Sequence, residues 1–291
     1  MARDITSDGF LTWFDAEQRK PTDAVPTPLN TINRNCHGDG AREGFARGWF
    51  ITVGGNPGHG KSILAMNFAA HAMQMNGEFV GYVSLEMTAR EIAQRMYAIT
   101  TKRQIRNFER DGYDPGALQG IRKLPYFFVP DEVAQNWEAV IHEFETMYEE
   151  GCRYFVLDYL QLVQAGNEKS IYEAVAHVVT YLRGWALNNG SVLVVLSQYN
   201  RETSKNYFDS PVSQSLWGGM MLEASSDIVL LLDHSRYEKE GHLARTWLIM
   251  DKNRHGSRGE IPIEWDYRTV SMREATEREI ELWPTQKRRA S

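Results

Sequence analysis

Cysteine is nearly missing from this chain: two residues among 291, Cys36 and Cys152, are too few and too far apart for a disulfide framework or a cysteine-rich metal site. Long apolar runs are missing as well. No stretch approaches the roughly 20 residues of a membrane span, and the opening "MARDITSDGF" lacks the basic-then-apolar form of a secretory signal. The expectation is a cytoplasmic protein with no membrane contact. Positive charge is in deficit, with a formal net charge of −6. That balance speaks against a nucleic-acid partner, because phosphate contacts need lysine and arginine. It does not exclude one, since a closed ring can line a narrow channel with a few cations per subunit while its outer surface stays acidic. Internal repeats and low-complexity tracts are also absent.

What is present is ordinary globular composition, 42% apolar and 24% charged, in a length that fits one large domain or two small ones. Residues 1–45 stand apart: "RKPTDAVPTPLN" and "HGDGAREG" read as linker and loop. Within this arm Phe10, Trp13 and Phe14 fall at helical spacing, one face of a short amphipathic helix that either packs on its own domain or docks on a neighbouring subunit. From residue 48 apolar runs alternate with helical segments. Strands are expected at 49–53, 79–85, 126–129, 154–160, 191–197, 227–233, 245–251 and 260–265, and helices at about 61–76, 89–101, 135–149 and 171–189, with "TARE" (88–91) as a capping box. Strands apolar on both faces and separated by helices predict an α/β fold with a mostly parallel sheet; the closely spaced late strands predict an antiparallel extension at one edge. The division expected is an arm (1–45), one α/β domain (46–270) and a tail (271–291), whose last residues "TQKRRAS" read as a frayed end.

Between the first strand and the first helix lies "GGNPGHGKS". Gly55, Asn56, Pro57, Gly58, His59, Gly60, Lys61 and Ser62 satisfy G-x-x-x-x-G-K-[ST] in the strand-loop-helix setting that the motif requires. Glycines let successive N–H groups turn inward toward phosphates at the positive end of the helix dipole. Lys61 is expected on the outer phosphates and Ser62 on magnesium, which makes ATP and Mg2+ the expected ligands. Hydrolysis needs more groups. "YFVLDYLQLV" ends a buried strand in Asp158, a candidate metal carboxylate. "VGYVSLEM" delivers Glu86 at another strand end, a candidate base for the attacking water. "VVLSQYNR" ends a third strand in Ser197 and Gln198, whose amide suits an outer phosphate.

With these residues in place the sequence resembles the ATPase domain of DnaB-type replicative helicases, within the RecA-like superfamily. "SLEM" with "REIAQRM", then "LDYLQLV", "LSQYNR", "SSDIVLLL" and "DKNRHGSRGEI" follow that family's order over about 45–266. The resemblance implies that Glu86 is the catalytic base, Asp158 the metal carboxylate and Gln198 the phosphate sensor. It also implies that Lys252 and Arg254 of "DKNRHG" act on the nucleotide of the adjacent subunit; two residues apart on a strand, they share a face. The loops after the Asp158 and Gln198 strands would line a central channel, which places Lys169, Arg201 and Lys205 on single-stranded DNA. The implied assembly is a homo-oligomeric, hexameric ring that hydrolyses ATP to translocate on DNA in replication, with primase, polymerase or a loader as possible partners. A filament-forming recombination ATPase and a nucleotide-gated loader remain alternatives. Two departures stand out. "QSLWGGMML" puts Trp217 where the family carries an arginine, and the family's N-terminal helical domain is replaced by the arm, as in a minimal phage or plasmid form.

Overall fold

The structure, a computed structural model, describes residues 24–36, 43–112, 114–131, 135–164, 170–200, 211–281 and 283. Its elements in chain order are β1 (Ala24–Val25), α1 (Asn30–Asn35), β2 (Phe45–Ala46), β3 (Phe50–Gly54), α2 (Lys61–Asn76), β4 (Val80–Ser84), α3 (Ala89–Thr101), α4 (Ile105–Asp111), α5 (Pro115–Ile121), β5 (Phe127–Phe128) and α6 (Trp137–Glu149). There follow β6 (Tyr154–Asp158), α7 (Ile171–Asn188), β7 (Val192–Ser197), α8 (Gly219–Ser225), β8 (Ile228–Glu240), β9 (Leu243–Asn253), β10 (Gly259–Asp266), β11 (Ser271–Glu274) and α9 (Glu277–Glu281). Single 3-10 turns at Leu160–Leu162 and Ser213–Ser215 complete the described structure.

One nine-stranded sheet runs in the order β11-β10-β9-β8-β3-β7-β6-β4-β5. The strands from β8 to β5 pair in parallel, and β9, β10 and β11 continue as an antiparallel meander. Both halves follow from the side chains. Every residue of β3, β6 and β7 is buried, as a strand covered on two faces requires, whereas β9 alternates between buried and half-buried positions. Side chains two apart share a face, so the sheet divides the core in two. Ile51, Val53, Tyr82, Val156, Val194 and Leu230 face α2 and α3, while Phe50, Val83, Phe155, Leu157, Val195 and Leu231 face α6 and α7. Asp158 is two residues beyond Val156 and therefore lies on the α2 side.

The expected capping box is present: the Thr88 backbone N–H donates to Glu91 Oε2 at 2.9 Å and the Glu91 N–H to Thr88 Oγ1 at 3.3 Å. Asn136 and Ser170 cap α6 and α7 in the same manner, each accepting from a backbone N–H three residues on.

The structure differs from the sequence reading at both ends of the domain. Residues 24–36, which their prolines mark as linker, pack on the α2-side core. Leu29 and Ile32 are fully buried, β1 pairs with β2, and Asn33 Oδ1 accepts from the Thr27 backbone N–H at 2.8 Å. Each such apolar side chain contributes about 1.5–3 kcal/mol. At the other end β11 adds a strand that the sequence did not announce. The short helices α1, α4, α5, α8 and α9 were likewise unannounced, since five to seven residues are too few to establish a helical period. Phe10, Trp13, Phe14 and the end of the tail lie outside the described residues. Among the described residues no helix is long and apolar enough to cross a membrane.

Candidate active site

The loop after β3 is shaped by its glycines. Gly58 and Gly60 have φ of 76° and 89°, in the left-handed region, and a Cβ on Gly58 would meet nothing within 4 Å. Gly60 is the N-cap of α2 and offers no side-chain acceptor, so the first amides of that helix are left for an anion. Beneath the loop the Trp265 ring supports Gly60, and a Cβ there would lie 3.4 Å from Cη2. His59 packs edge-on to the Tyr199 ring at 6.5 Å.

Lys61 is buried, and its Nζ donates to the Asn56 carbonyl at 3.0 Å across the loop. Burial pulls its pKa down to about 8, against the opposing pull of the Asp158 and Glu86 charges. An ammonium held this way is short of solvation, which favours an incoming phosphate. Facing it, Asp158 is fully buried at the C-terminal end of β6, and the Asp158–Tyr159 peptide bond is cis. The Tyr82 hydroxyl donates to Asp158 Oδ2 at 2.7 Å. Oδ1 has no hydrogen bond of ordinary geometry, although the Ser62 hydroxyl lies near enough to pull the carboxyl down together with Tyr82. Burial is the larger influence and pushes the carboxyl up, with Glu86 adding to it. A cation bound beside Asp158 would favour the ionised carboxylate, and phosphates would favour the Lys61 ammonium.

Glu86 follows β4 and is exposed, two residues beyond Ser84, which pairs with Asp158 across the sheet; the Leu85 N–H donates to the Asp158 carbonyl at 2.7 Å. Its charge is felt by Lys61, Asp158 and Tyr159. Gln198 follows β7, the next strand but one; burial and the Glu86 charge push the Tyr159 pKa up, and the Gln198 side chain lies near enough to that hydroxyl to oppose them. Gln161 ties the same two strand ends together. It donates through Nε2 to Ser197 Oγ at 2.7 Å and accepts from the Gln198 N–H at 3.1 Å. Lys61, Ser62, Glu86, Asp158 and Gln198 thus converge on the C-terminal edge of the parallel strands, where ligands bind in open α/β sheets. Sequence reasoning missed Tyr82, Tyr159 and Gln161. The last two stand inside "DYLQL" itself, where a polar residue on either side of Leu160 was the available signal.

Lys252 and Arg254 lie elsewhere. Across β8 and β9, Leu230 pairs with Met250 but Val229 pairs with Lys252, so Asp251 is an extra residue, a β-bulge. Two residues beyond Met250, Lys252 would otherwise face α2; the bulge turns it to the opposite face. There Lys252 Nζ and Arg254 Nη2 donate to consecutive carbonyls at the end of α8, those of Glu223 and Ala224. Burial and the Arg254 charge lower the Lys252 pKa. Arg254 also pairs with Asp227 at 3.6 Å, and Asp227 Oδ2 accepts from the Phe50 N–H at 2.9 Å. Arg254 therefore stands at the start of β3, about 13 Å along the strand from the end that carries the chain's own phosphate loop, and the Lys252 side chain, from a backbone position level with Thr52, points toward the same end. Lys169, Arg201 and Lys205 lie outside the described residues.

A family model, the DnaB-like helicase C terminal domain, matches residues 36–274. The chain belongs to this family. This DnaB-like domain is 25% identical over 244 residues to a probable plasmid replicative DNA helicase of Chlamydia psittaci, covering 81% of this chain and 52% of that protein. It is 26% identical over 253 residues to the replicative DNA helicase DnaB of Mycoplasma genitalium, covering 80% and 54%. The chain thus spans about half the length of the curated relatives it matches. Its fold matches the ATPase domain of G40P with a TM-score of 0.77 and 18% identity, over 95% of this chain and all of that one. A DnaB-like replicative helicase, from a structure describing its interactions with primase, matches with a TM-score of 0.77 and 19% identity over 93% of this chain and 68% of that one. Membership of this family implies a nucleotide-binding domain.

Proposed function

We propose that the chain is the cytoplasmic motor domain of a homo-oligomeric, hexameric DNA translocase that hydrolyses ATP and unwinds duplex DNA in replication. The observation that carries this reading is the division of the machinery between the two ends of β3. Lys61, Ser62, Glu86, Asp158 and Gln198 gather at one end, and Lys252 and Arg254 project at the other, where they cannot reach the phosphates of their own chain. Subunits arranged head to tail would bring the two halves together, one subunit's cations completing its neighbour's pocket.

In that pocket the loop amides and Lys61 bind the phosphates, Glu86 orients and deprotonates the attacking water, and Gln198 contacts the outer phosphate. Ser62 and Asp158 fit a hard divalent cation, since a buried carboxylate oxygen without an ordinary hydrogen bond faces a hydroxyl. Mg2+ held there would neutralise charge on the β- and γ-phosphates. Gln198, through Tyr159 and Gln161, connects the outer phosphate to the ends of β6 and β7, from which the expected DNA loops depart. Primase, polymerase and loader contacts belong to this reading as partners of the full replicative assembly.

The decisive experiment is Arg254→Ala. Nucleotide affinity should stay near wild type while DNA-stimulated hydrolysis falls about 10³- to 10⁵-fold, the range for an arginine supplied in trans. Turnover near wild type ends the trans assignment. A forked-duplex unwinding assay beside negative-stain imaging separates a ring that displaces a strand from a filament that only coats it.

A further inference from the structure

Trp217, between β7 and α8, has an aromatic neighbour. Tyr172, in the first turn of α7, lies 6.1 Å from the Trp217 ring at 58°. Trp217 is half-buried with one side on the α7-side core, while Tyr172 remains 51% exposed despite the contact. Val212 and Met220, on either side of Trp217 in sequence, are also exposed, at 48% and 82%. These residues occupy one position in the fold. Tyr172 begins the helix reached from β6, and Trp217 lies on the segment reached from β7, so the pair bridges the two connections that leave the active-site edge of the sheet.

Trp217 is also fastened to the nucleotide site. Its backbone N–H donates to the Gln198 carbonyl at 3.0 Å, Tyr199 bridges Leu216, and the Asn200 N–H donates to the Ser215 carbonyl at 2.8 Å. A load on the indole is therefore one residue bond away from the amide that faces the outer phosphate.

We propose that Tyr172 and Trp217 form a stacking platform for a base of single-stranded nucleic acid; this deepens the translocase reading and rests on it. The rings are tilted rather than stacked on each other, so Tyr172 keeps ring area for a third flat group, and every base offers a π-face irrespective of sequence. A motor that steps along any sequence needs contacts of that kind. In the sequence, cations flank both rings: Lys169 precedes Tyr172 by three residues, and Arg201 and Lys205 precede Trp217. They lie outside the described residues and form no part of the platform.

The test compares a dT oligonucleotide with an abasic deoxyribose-phosphate oligomer of the same length, by fluorescence anisotropy at fixed salt. The full chain is used as wild type, Tyr172→Ala, Trp217→Ala and Trp217→Phe. Wild type should bind dT on the order of tenfold more tightly than the abasic chain. Both alanine variants should lose that preference with abasic binding unchanged, and Trp217→Phe should keep most of it. Equal wild-type affinity for the two oligomers overturns the platform and leaves the DNA reading standing. Binding of neither removes both. Variants that change oligomer size in light scattering, with the dT preference intact, identify the pair as a subunit contact and overturn the proposal.

Discussion

Tyr82 holds one oxygen of Asp158. The phenol on β4 donates at 2.7 Å to the carboxylate on β6, both groups fully buried, and the other oxygen is left facing Ser62. Tyr82 thereby fixes the carboxylate rotamer and lowers its pKa against the upward push of burial. Tyr82→Phe keeps the ring and its packing, so the fold should survive with a loss of about 1–3 kcal/mol for an unsatisfied buried oxygen. The Asp158 carboxyl should then titrate higher, and the Mg2+ concentration giving half-maximal ATP turnover should rise, most of all toward acid pH. An unchanged Mg2+ requirement at every pH would show that Tyr82 has no bearing on metal binding.

Lys61 carries a stability cost that follows from its surroundings. Its pKa in the folded chain is about 8, below the ordinary lysine value of 10.5, because burial disfavours the ammonium. The folded state therefore binds the proton less tightly than the unfolded state does. The resulting penalty is fully present below about pH 8, shrinks as pH rises and is gone near 10.5. Lys61→Met removes the charge, so the nucleotide-free variant should be more stable than wild type at pH 7 by roughly 2–4 kcal/mol. The advantage should fade between pH 8 and 10.5, and nucleotide affinity should collapse. Urea unfolding at several pH values decides it; a variant less stable than wild type at pH 7 contradicts the assignment.

The parallel half of the sheet was legible because "WFITV", "YFVLD" and "SVLVVLS" are apolar on both faces, and because the phosphate loop is a local motif that needs no knowledge of distant partners. Strand-end carboxylates such as Asp158 and Glu86 could be placed for the same reason. Contacts that depend on register could not. The bulge at Asp251 depends on how β9 meets β8, so the face taken by Lys252 is fixed by pairing between separate segments. Tyr82 lies on the α2 side of β4, and only the pairing of β4 with β6 brings its hydroxyl to Asp158, two strand positions on. Residues 24–36 read as linker because Pro26 and Pro28 outweigh Leu29 and Ile32, which join a core built from segments far along the chain, β10 among them.

Gly54 ends β3 beneath the segment that carries Trp217. A Cβ there would lie 2.4 Å from Leu216 Cδ2 and 2.7 Å from Leu231 Cδ2, both closer than packed carbons tolerate. Gly54→Ala should therefore destabilise the chain by about 1–3 kcal/mol. Leu216→Ala opens the space, so the double variant should recover part of that loss, with a coupling of about 0.5–3 kcal/mol. Strictly additive effects in urea unfolding would mean that Leu216 does not seat on the strand end.

Asp227 gathers partners from two other parts of the chain. It is buried at the start of β8, pairs with Arg183 of α7 at 2.9 Å, and lies 3.6 Å from Arg254 and 3.5 Å from His255, whose ring stacks on Trp49 at 4.1 Å. Arg183 also donates to the Gly48 carbonyl at 2.8 Å, so the same guanidinium ties α7 to the entry of β3. Asp227→Asn keeps an acceptor for the Phe50 N–H but removes the charge that these cations share. Stability should fall by about 3 kcal/mol, the lower end for breaking a buried pair, because Arg183 and Arg254 retain access to water. The loss should change little with added salt, since a buried pair is weakly screened. If Arg254 serves a neighbouring subunit, its release from Asp227 should also lower DNA-stimulated hydrolysis at unchanged nucleotide affinity. Hydrolysis retained at wild-type rate in a chain that has lost the expected stability would confine Asp227 to holding the fold and leave Arg254 positioned by the Ala224 carbonyl alone.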